Sequence, residues 1–230
     1  MSVDSMVNTA RSMSYYLRLQ EVTADNLANA NTDAFKAARL AAHAEPGSTH
    51  PVPVQEIDLQ QGRFRETGRP LDLSLEGPGF FVVQTEAGER LTRGGSLRLD
   101  GTGRLTDLHG NPVLGESGAL VLYGSEVQVH PDGTVTVDDA LVDRLRIENV
   151  QDPSTLRKEG SGRFVPDGPL QSVSSDETQV RQGLIEEANL DPLLSTVDLI
   201  TIQRAYAANA DALRAMDSVL GVVTSDVGKV

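Results

Sequence analysis

The 230-residue sequence has no cysteine, no tryptophan and few aromatic residues, and its cations are outnumbered by its acids. Without cysteine there can be no disulfide framework, thiolate nucleophile or thiolate-ligated zinc. An aromatic fraction of 4% and an apolar fraction of 39% favour a slender or multi-part molecule over one large globule. Twenty Lys and Arg against 33 Asp and Glu give a formal charge of −13. Phosphate recognition needs clustered cations, so the charge argues against nucleic acid as a partner. Docking on anionic lipid is disfavoured for the same reason. No stretch approaches the ~20 apolar residues of a membrane span. The segment from Met1 to Arg18 lacks the basic start and apolar core of a secretory signal. Export, if it occurs, is therefore expected to bypass the general signal-peptide route.

Recognisable chemistry is equally scarce. His43, His50, His109 and His130 are scattered over connector and turns, none at the i, i+4 spacing of helical zinc ligands. There is no G-x-S-x-G elbow and no Walker motif. Gly101 and Gly103 fall at a hairpin, without the helix that a phosphate loop requires. The acid pairs Asp138-Asp139 and Glu186-Glu187 lack the alternating oxygen ligands of a calcium loop. They read as solvated turn and helix-start positions. No catalytic residue, metal or cofactor is expected.

What the sequence does contain is a matched pattern at its two ends. Val3, Met6, Ala10, Met13, Leu17, Gln20, Ala24 and Leu27 recur in alternating steps of three and four. Leu199, Ile202, Tyr206, Asn209, Leu213, Met216, Leu220 and Val223 do the same, continued by Val227 and Val230. Such spacing places the side chains in one seam along a helix. The seams can pair within the chain, as antiparallel helices do in bundles, or with other copies. Two lone helices would leave Leu193, Val197 and Ile200 exposed, so further helix faces are expected from neighbouring subunits. The first helix is predicted to end near Ala30, where Asn29, Asn31, Thr32 and Asp33 favour a turn. The second should begin after Asp191-Pro192 and run to about Gly221 or beyond.

Between the helices the pattern is β. Residues 45–53 carry three prolines and a glycine and exclude regular helix. Short strands are predicted around Val54–Leu59 and Arg63–Glu66. Leu71, Leu73 and Leu75 alternate with Asp72, Ser74 and Glu76, the mark of a half-buried strand. Strands are further expected at Phe80–Thr85, Arg90–Arg93, Val113–Leu114, Leu120–Leu122, Val127–Val129, Thr134–Val137 and Leu145–Val150. Turns at Ala87-Gly88, Gly94-Gly95, Asp100-Gly101 and Asp132-Gly133 separate them. Gly160 to Ser175 reads as a return loop, and Gln179–Leu184 as one more strand. The expected fold is α+β, with N- and C-terminal helices forming a coiled-coil-like stem and a central antiparallel domain. The expected division is a discontinuous stem of 1–33 and 186–230, a connector over 34–70, and a β-rich domain with its return loop over 71–185.

Four stretches resemble the flagellar axial proteins of the hook–rod family. Leu17 to Lys36, with Asp25-Asn26-Leu27-Ala28-Asn29-Ala30-Asn31-Thr32-Asp33-Ala34-Phe35-Lys36, is similar to the N-terminal signature. It has Ala34 where the family commonly has Gly, which Ala occupies without strain only at negative φ. Gln61-Gly62 through Thr67-Gly68-Arg69-Pro70-Leu71-Asp72 to Gly79-Phe80-Phe81 resembles a second block. A third is Leu91-Thr92-Arg93-Gly94 through Gly110-Asn111-Pro112-Val113-Leu114-Gly115. The fourth is Gly183-Leu184-Ile185-Glu186-Glu187-Ala188-Asn189, followed by Gln203-Arg204-Ala205-Tyr206. Hook subunits carry an outer domain that this length cannot hold, so the chain is most similar to the rod branch, the proximal member first and the distal next.

The resemblance implies a structural subunit of the basal-body rod, crossing the periplasm and cell wall. Its terminal helices would polymerise helically into a hollow tube that transmits torque and lines an export channel. Implied partners are other copies, other rod and hook proteins and the flagellar type III export apparatus, with no membrane span. The candidate assembly residues are Met6, Ala10, Met13, Leu17 and Leu27, with Asn26, Asn29 and Asn31. On the second helix they are Leu199, Ile202, Tyr206, Asn209, Leu213, Met216 and Leu220. The alternative reading is a stalked extracellular β-domain binding module without enzymatic activity. It would need an exposed aromatic site, for which Phe64, Phe80, Phe81, Phe164 and Tyr123 are the residues to hand.

Overall fold

The structure, a computed structural model, describes residues 3–43 and 51–227, with side chains over 6–43 and 51–221. The stretch 45–50 and the seam side chains of Val3, Val223, Val227 and Val230 lie outside the described residues. The chain folds as two units. One contains 3–28, 38–43, 51–56 and 191–227, and the other contains 29–37 and 57–190.

The first unit is built on two long helices, α1 (Val3–Ala28) and α2 (Pro192–Val227), packed against each other. No Gly or Pro interrupts α1. It ends in a turn where the Thr32 N–H donates to the Asn29 carbonyl at 2.9 Å. At the start of α2, the Asp191 carboxylate accepts the Leu193 N–H at 2.8 Å and caps the helix ahead of Pro192. At 1.5 Å per residue, α2 is about 54 Å long. A two-stranded ribbon of β1 (Ala38–His43) and β2 (Val52–Ile57) packs beside α1. No periodicity in the sequence marks β1.

The second unit is antiparallel throughout its paired strands. In chain order it holds β3 (Phe64–Glu66), β4 (Leu73–Glu76), β5 (Phe80–Thr85) and β6 (Gly88–Thr92). Next come β7 (Arg98–Leu99), β8 (Leu105–Thr106), β9 (Leu114–Gly115) and β10 (Gly118–Ala119). Then follow β11 (Val127–Val129), β12 (Thr134–Val137), β13 (Ala140–Arg144) and β14 (Ile147–Val150). The last five are β15 (Leu156–Gly160), β16 (Arg163–Pro166), β17 (Leu170–Ser172), β18 (Gln179–Gln182) and β19 (Leu184–Glu186). The principal sheet has six strands in the order β15-β16-β6-β5-β14-β17. Smaller ladders pair β18 with β4 and β19 with β3.

Strand β5 explains why this unit has two cores. Phe81 and Val83 enter a cluster with Leu73, Leu75, Val113 and Val135. Phe80 and Val82 enter another, with Leu91, Val150, Leu156 and Phe164. Successive side chains of a strand point to opposite faces, so the run Phe80-Phe81-Val82-Val83 fills both. Phe80 and Phe164 meet edge to face, 5.4 Å between centroids.

The α+β class, with one helix at each end of the chain and an antiparallel β region between them in sequence, agrees with the expectation. Several local expectations do not hold. The strand expected at Leu120–Leu122 is not formed: β10 lies earlier, at Gly118–Ala119, and Val121 makes only a single bridge to Arg104. Gly160 to Ser175 is not a loop, because it supplies parts of β15, β16 and β17. Gly160, Ser161 and Gly162 all have positive φ, at 89°, 52° and 69°, and turn β15 tightly into β16. Strand β13 is not among the expected strands: it follows a turn whose residues, Asp138 and Asp139, are both left-handed at 49° and 63°. That conformation is the two-residue hairpin turn more often made by Asn-Gly. Finally, β4 is not half-buried. Asp72 and Ser74 are as enclosed as Leu73 and Leu75. The strand is flanked by β18 on one edge, and its Leu73 N–H donates to the Gly95 carbonyl at 2.8 Å.

Candidate assembly surface and buried charge cluster

On α2 the half-buried stripe coincides with the predicted seam. Ile202 is buried, and Leu199, Tyr206, Asn209, Leu213, Met216 and Leu220 are half-buried. The opposite side keeps Leu193, Leu194, Val197 and Ile200 in solvent at 73%, 61%, 52% and 46% exposure. On α1 the half-buried stripe runs through Thr9, Met13, Tyr16, Gln20, Thr23 and Leu27. Met6, Met13 and Leu27 of the predicted seam are half-buried, but Ala10, Leu17 and Ala24 lie exposed on its flank. The inward side is largely apolar on α2 and mixed on α1, and both helices keep further apolar residues turned to solvent.

The three candidate asparagines are placed differently. Asn26 donates to the Ala38 carbonyl at 2.7 Å and accepts the Ala38 N–H at 2.8 Å, which fastens β1 to α1. Asn29 organises the turn after the helix, where its side-chain oxygen accepts from the Thr32 hydroxyl at 3.3 Å. Asn31 is exposed.

Within the second unit lies a cluster that the sequence reading missed. Glu186, assigned there to a solvated helix start, is 2% exposed and sits at the end of β19. Its carboxylate accepts from Lys36 Nζ at 2.7 Å, the Gly62 N–H at 2.8 Å and Arg93 Nε at 3.1 Å. Arg93 spends its remaining donors on the carbonyls of Leu75, Gly77 and Gly79. Lys36 also donates to the Gln60 carbonyl at 2.7 Å. Burial holds the Lys36 ammonium below the usual lysine range, against the opposing pull of its Glu186 hydrogen bond. Burial likewise lowers Arg93, which stays charged. Two cations thus share one buried carboxylate.

Asn189 completes the arrangement. Its oxygen accepts the Ala37 N–H at 2.7 Å, and its amide donates to the carbonyls of Asp58 and Gln60. The segments joined here are those on which the chain leaves for, or returns from, the other unit: 29–37, 57–62 and 186–190. Lys36, Gly62, Arg93 and Glu186 come one from each of the four motif blocks. Motif membership was the available signal. Hydropathy carried none, because charged residues normally read as surface.

Ala34 has a φ of 55°, a left-handed conformation that glycine adopts without strain and alanine does not, so the negative φ needed for an unstrained alanine is not found. Its N–H donates to the Glu186 carbonyl at 2.7 Å.

Among the described residues no group of acids and histidines could hold a metal ion. No described helix is long and apolar enough to cross a membrane. Of the aromatic candidates, Phe80, Phe81 and Phe164 are core residues, which leaves Phe64 and Tyr123 exposed, at 37% and 78%.

Comparison with known proteins gives this architecture its class. Residues 74–137 match the flagellar hook protein FlgE/F/G D1 domain, and 181–225 match the flagellar basal body rod FlgEFG protein C-terminal domain. The chain is 32% identical to the flagellar basal-body rod protein FlgF of Caulobacter vibrioides over 205 residues, 83% of this chain and 84% of that one. Against FlgF of Escherichia coli the identity is 30%, covering 95% and 96% of the two chains. FlgG of Agrobacterium fabrum is 25% identical, covering 90% and 93%. The chain belongs to the flagellar basal-body rod protein family, and within it is most like the proximal rod protein FlgF.

Proposed function

We propose that this protein is a structural subunit of the flagellar basal-body rod, assembling helically through α1 and α2 with other copies and other rod and hook proteins. The observation that carries this reading is the surplus of apolar helix surface. The inward stripes occupy one side of each helix, yet Leu193, Val197 and Ile200 on α2 and Leu17 on α1 remain exposed. Because these faces differ, contact between copies is heterologous, and a rotation that does not close yields an open tube. In such a tube the paired helices form a coiled-coil-like inner wall around an export channel. Repeated lateral contacts transmit torque. The role is not enzymatic. Delivery is through the flagellar type III export apparatus.

The test is to place charges on the exposed side alone. Val197→Asp and Ile200→Asp should leave the melting temperature of the isolated protein within about 2 °C, since exposed substitutions change stability little. Both should abolish tubes in electron micrographs of concentrated protein and abolish motility in cells. Normal motility in the double variant would refute the assignment of this face.

A further inference from the structure

Beside the Lys36–Glu186–Arg93 cluster the second unit holds a cavity of about 420 Å³. Leu59, Phe80 and Val150 line it with apolar surface, while Lys36 and Arg93 supply its only charged lining groups. Arg93 has all its donors engaged by Glu186 and the three backbone carbonyls, so it contributes charge but no free N–H. Lys36 is 1% exposed, and among the described residues two of its three N–H groups have acceptors. Asn149, also on the wall, uses its oxygen to accept the Val150 N–H and leaves its amide group for another acceptor. Glu186 offers one negative charge to two positive ones, and Asp58 acts on Lys36 only at longer range.

We propose that this cavity is a binding site for a carboxylate on a short aliphatic stem, the side chain of a glutamate presented by another polypeptide. Charge complementarity selects the head group. The carboxylate would accept from Lys36 and from the Asn149 amide and supply the missing countercharge. The apolar walls select the stem, since methylene groups packed on Phe80 and Val150 leave water. A polypeptide source fits a lining that reaches the surface at Gln151 and Pro153, where a backbone can lie across the mouth. The inference goes beyond the assembly reading and does not depend on it, because the site is complete in one chain.

The experiment is a titration of the full-length monomer, followed by backbone amide NMR. The probes are N-acetyl-glutamate methylamide, its glutamine counterpart and free glutarate. The glutamate probe should give saturable shifts at Gly77, Gly79, Asn149 and Gln151, with at least tenfold tighter binding than the glutamine probe. Lys36→Met should remove that preference. Gln151→Trp, which fills the mouth without touching the charge cluster, should remove binding in a chain that keeps its fold. Equal binding of the two peptides, or shifts elsewhere, would overturn the proposal. Tighter binding of glutarate than of the glutamate peptide would overturn the polypeptide source. Failure of this titration would leave the assembly test on Val197 and Ile200 untouched.

Discussion

At the scale of single residues, Glu186 bears the clearest consequence. A Glu186→Gln replacement keeps the shape but leaves Lys36 and Arg93 buried without a countercharge. Breaking a buried pair in this way costs about 3–5 kcal/mol. The neighbouring Glu187 is partly exposed and pairs with Arg65 at 3.2 Å. Its glutamine variant should change stability by less than about 1 kcal/mol, as exposed ion pairs do. Urea unfolding of both variants separates the roles. Equal effects would mean that the buried cluster is energetically idle. Ala34 is the second case. A β-branched side chain at positive φ is a genuine outlier, so Ala34→Val should cost at least about 2 kcal/mol, from backbone strain and crowding together. Ala34→Gly relieves strain but loses a buried methyl, so it should stay within about 1 kcal/mol of the parent. Gly62 admits no such exchange, because a Cβ there would stand 2.0 Å from the Glu187 carbonyl oxygen.

Among elements, the helices and the sheet differ in how firmly they are held. Val22 and Ile202 are the only buried apolar side chains described in α1 and α2. Every residue from Phe80 to Val83 in β5 is buried. Local opening follows the density of buried apolar contacts. In hydrogen exchange on the dilute monomer, amides of β5, β6 and β14 should be slowest. Those of α1 and α2 should exchange at least about tenfold faster, which corresponds to about 1.4 kcal/mol of local stability. Equal protection of α2 and β5 in a demonstrated monomer would contradict this. The periodicity of α2 was legible because its apolar stripe is wide and regular. On α1 the inward side is set partly by β1, which engages Asn26, a contact between residues 12 apart that no heptad count contains.

For the whole molecule, pH is the accessible variable. Asp100 is held well below the usual carboxylate range, first by the Thr102 hydroxyl and then by the Arg104 N–H. Asp132 is lowered by the Thr134 N–H and hydroxyl, and Asp152 by Ser154. In each case the folded carboxylate binds its proton less readily than the unfolded one. Between the two pKa values the unfolded chain holds more protons, so stability rises with pH there. The contribution is complete above about pH 4 and disappears as pH falls through the folded values. Thermal melts should be flat from about pH 5 to 7 and decline below about pH 4. Combining Asp100→Asn with Asp132→Asn should shallow that decline. An unchanged slope would remove these turns from the acid response.

Local sequence determined whatever depends on neighbouring residues. The uninterrupted heptads specify two helices, and alternation with Gly- and Asp-bearing turns specifies an antiparallel middle. Absent motifs removed whole classes of chemistry from consideration. Tertiary structure decided what depends on residues far apart in the chain. Glu186 looked like a surface acid because its partners lie 150 and 93 residues away. Gly160 and Gly162 looked like loop residues because a turn becomes a hairpin only when β16 finds β6. Residue type reports the cost of burying a charge, but only the assembled fold shows whether its partners are there to offset it.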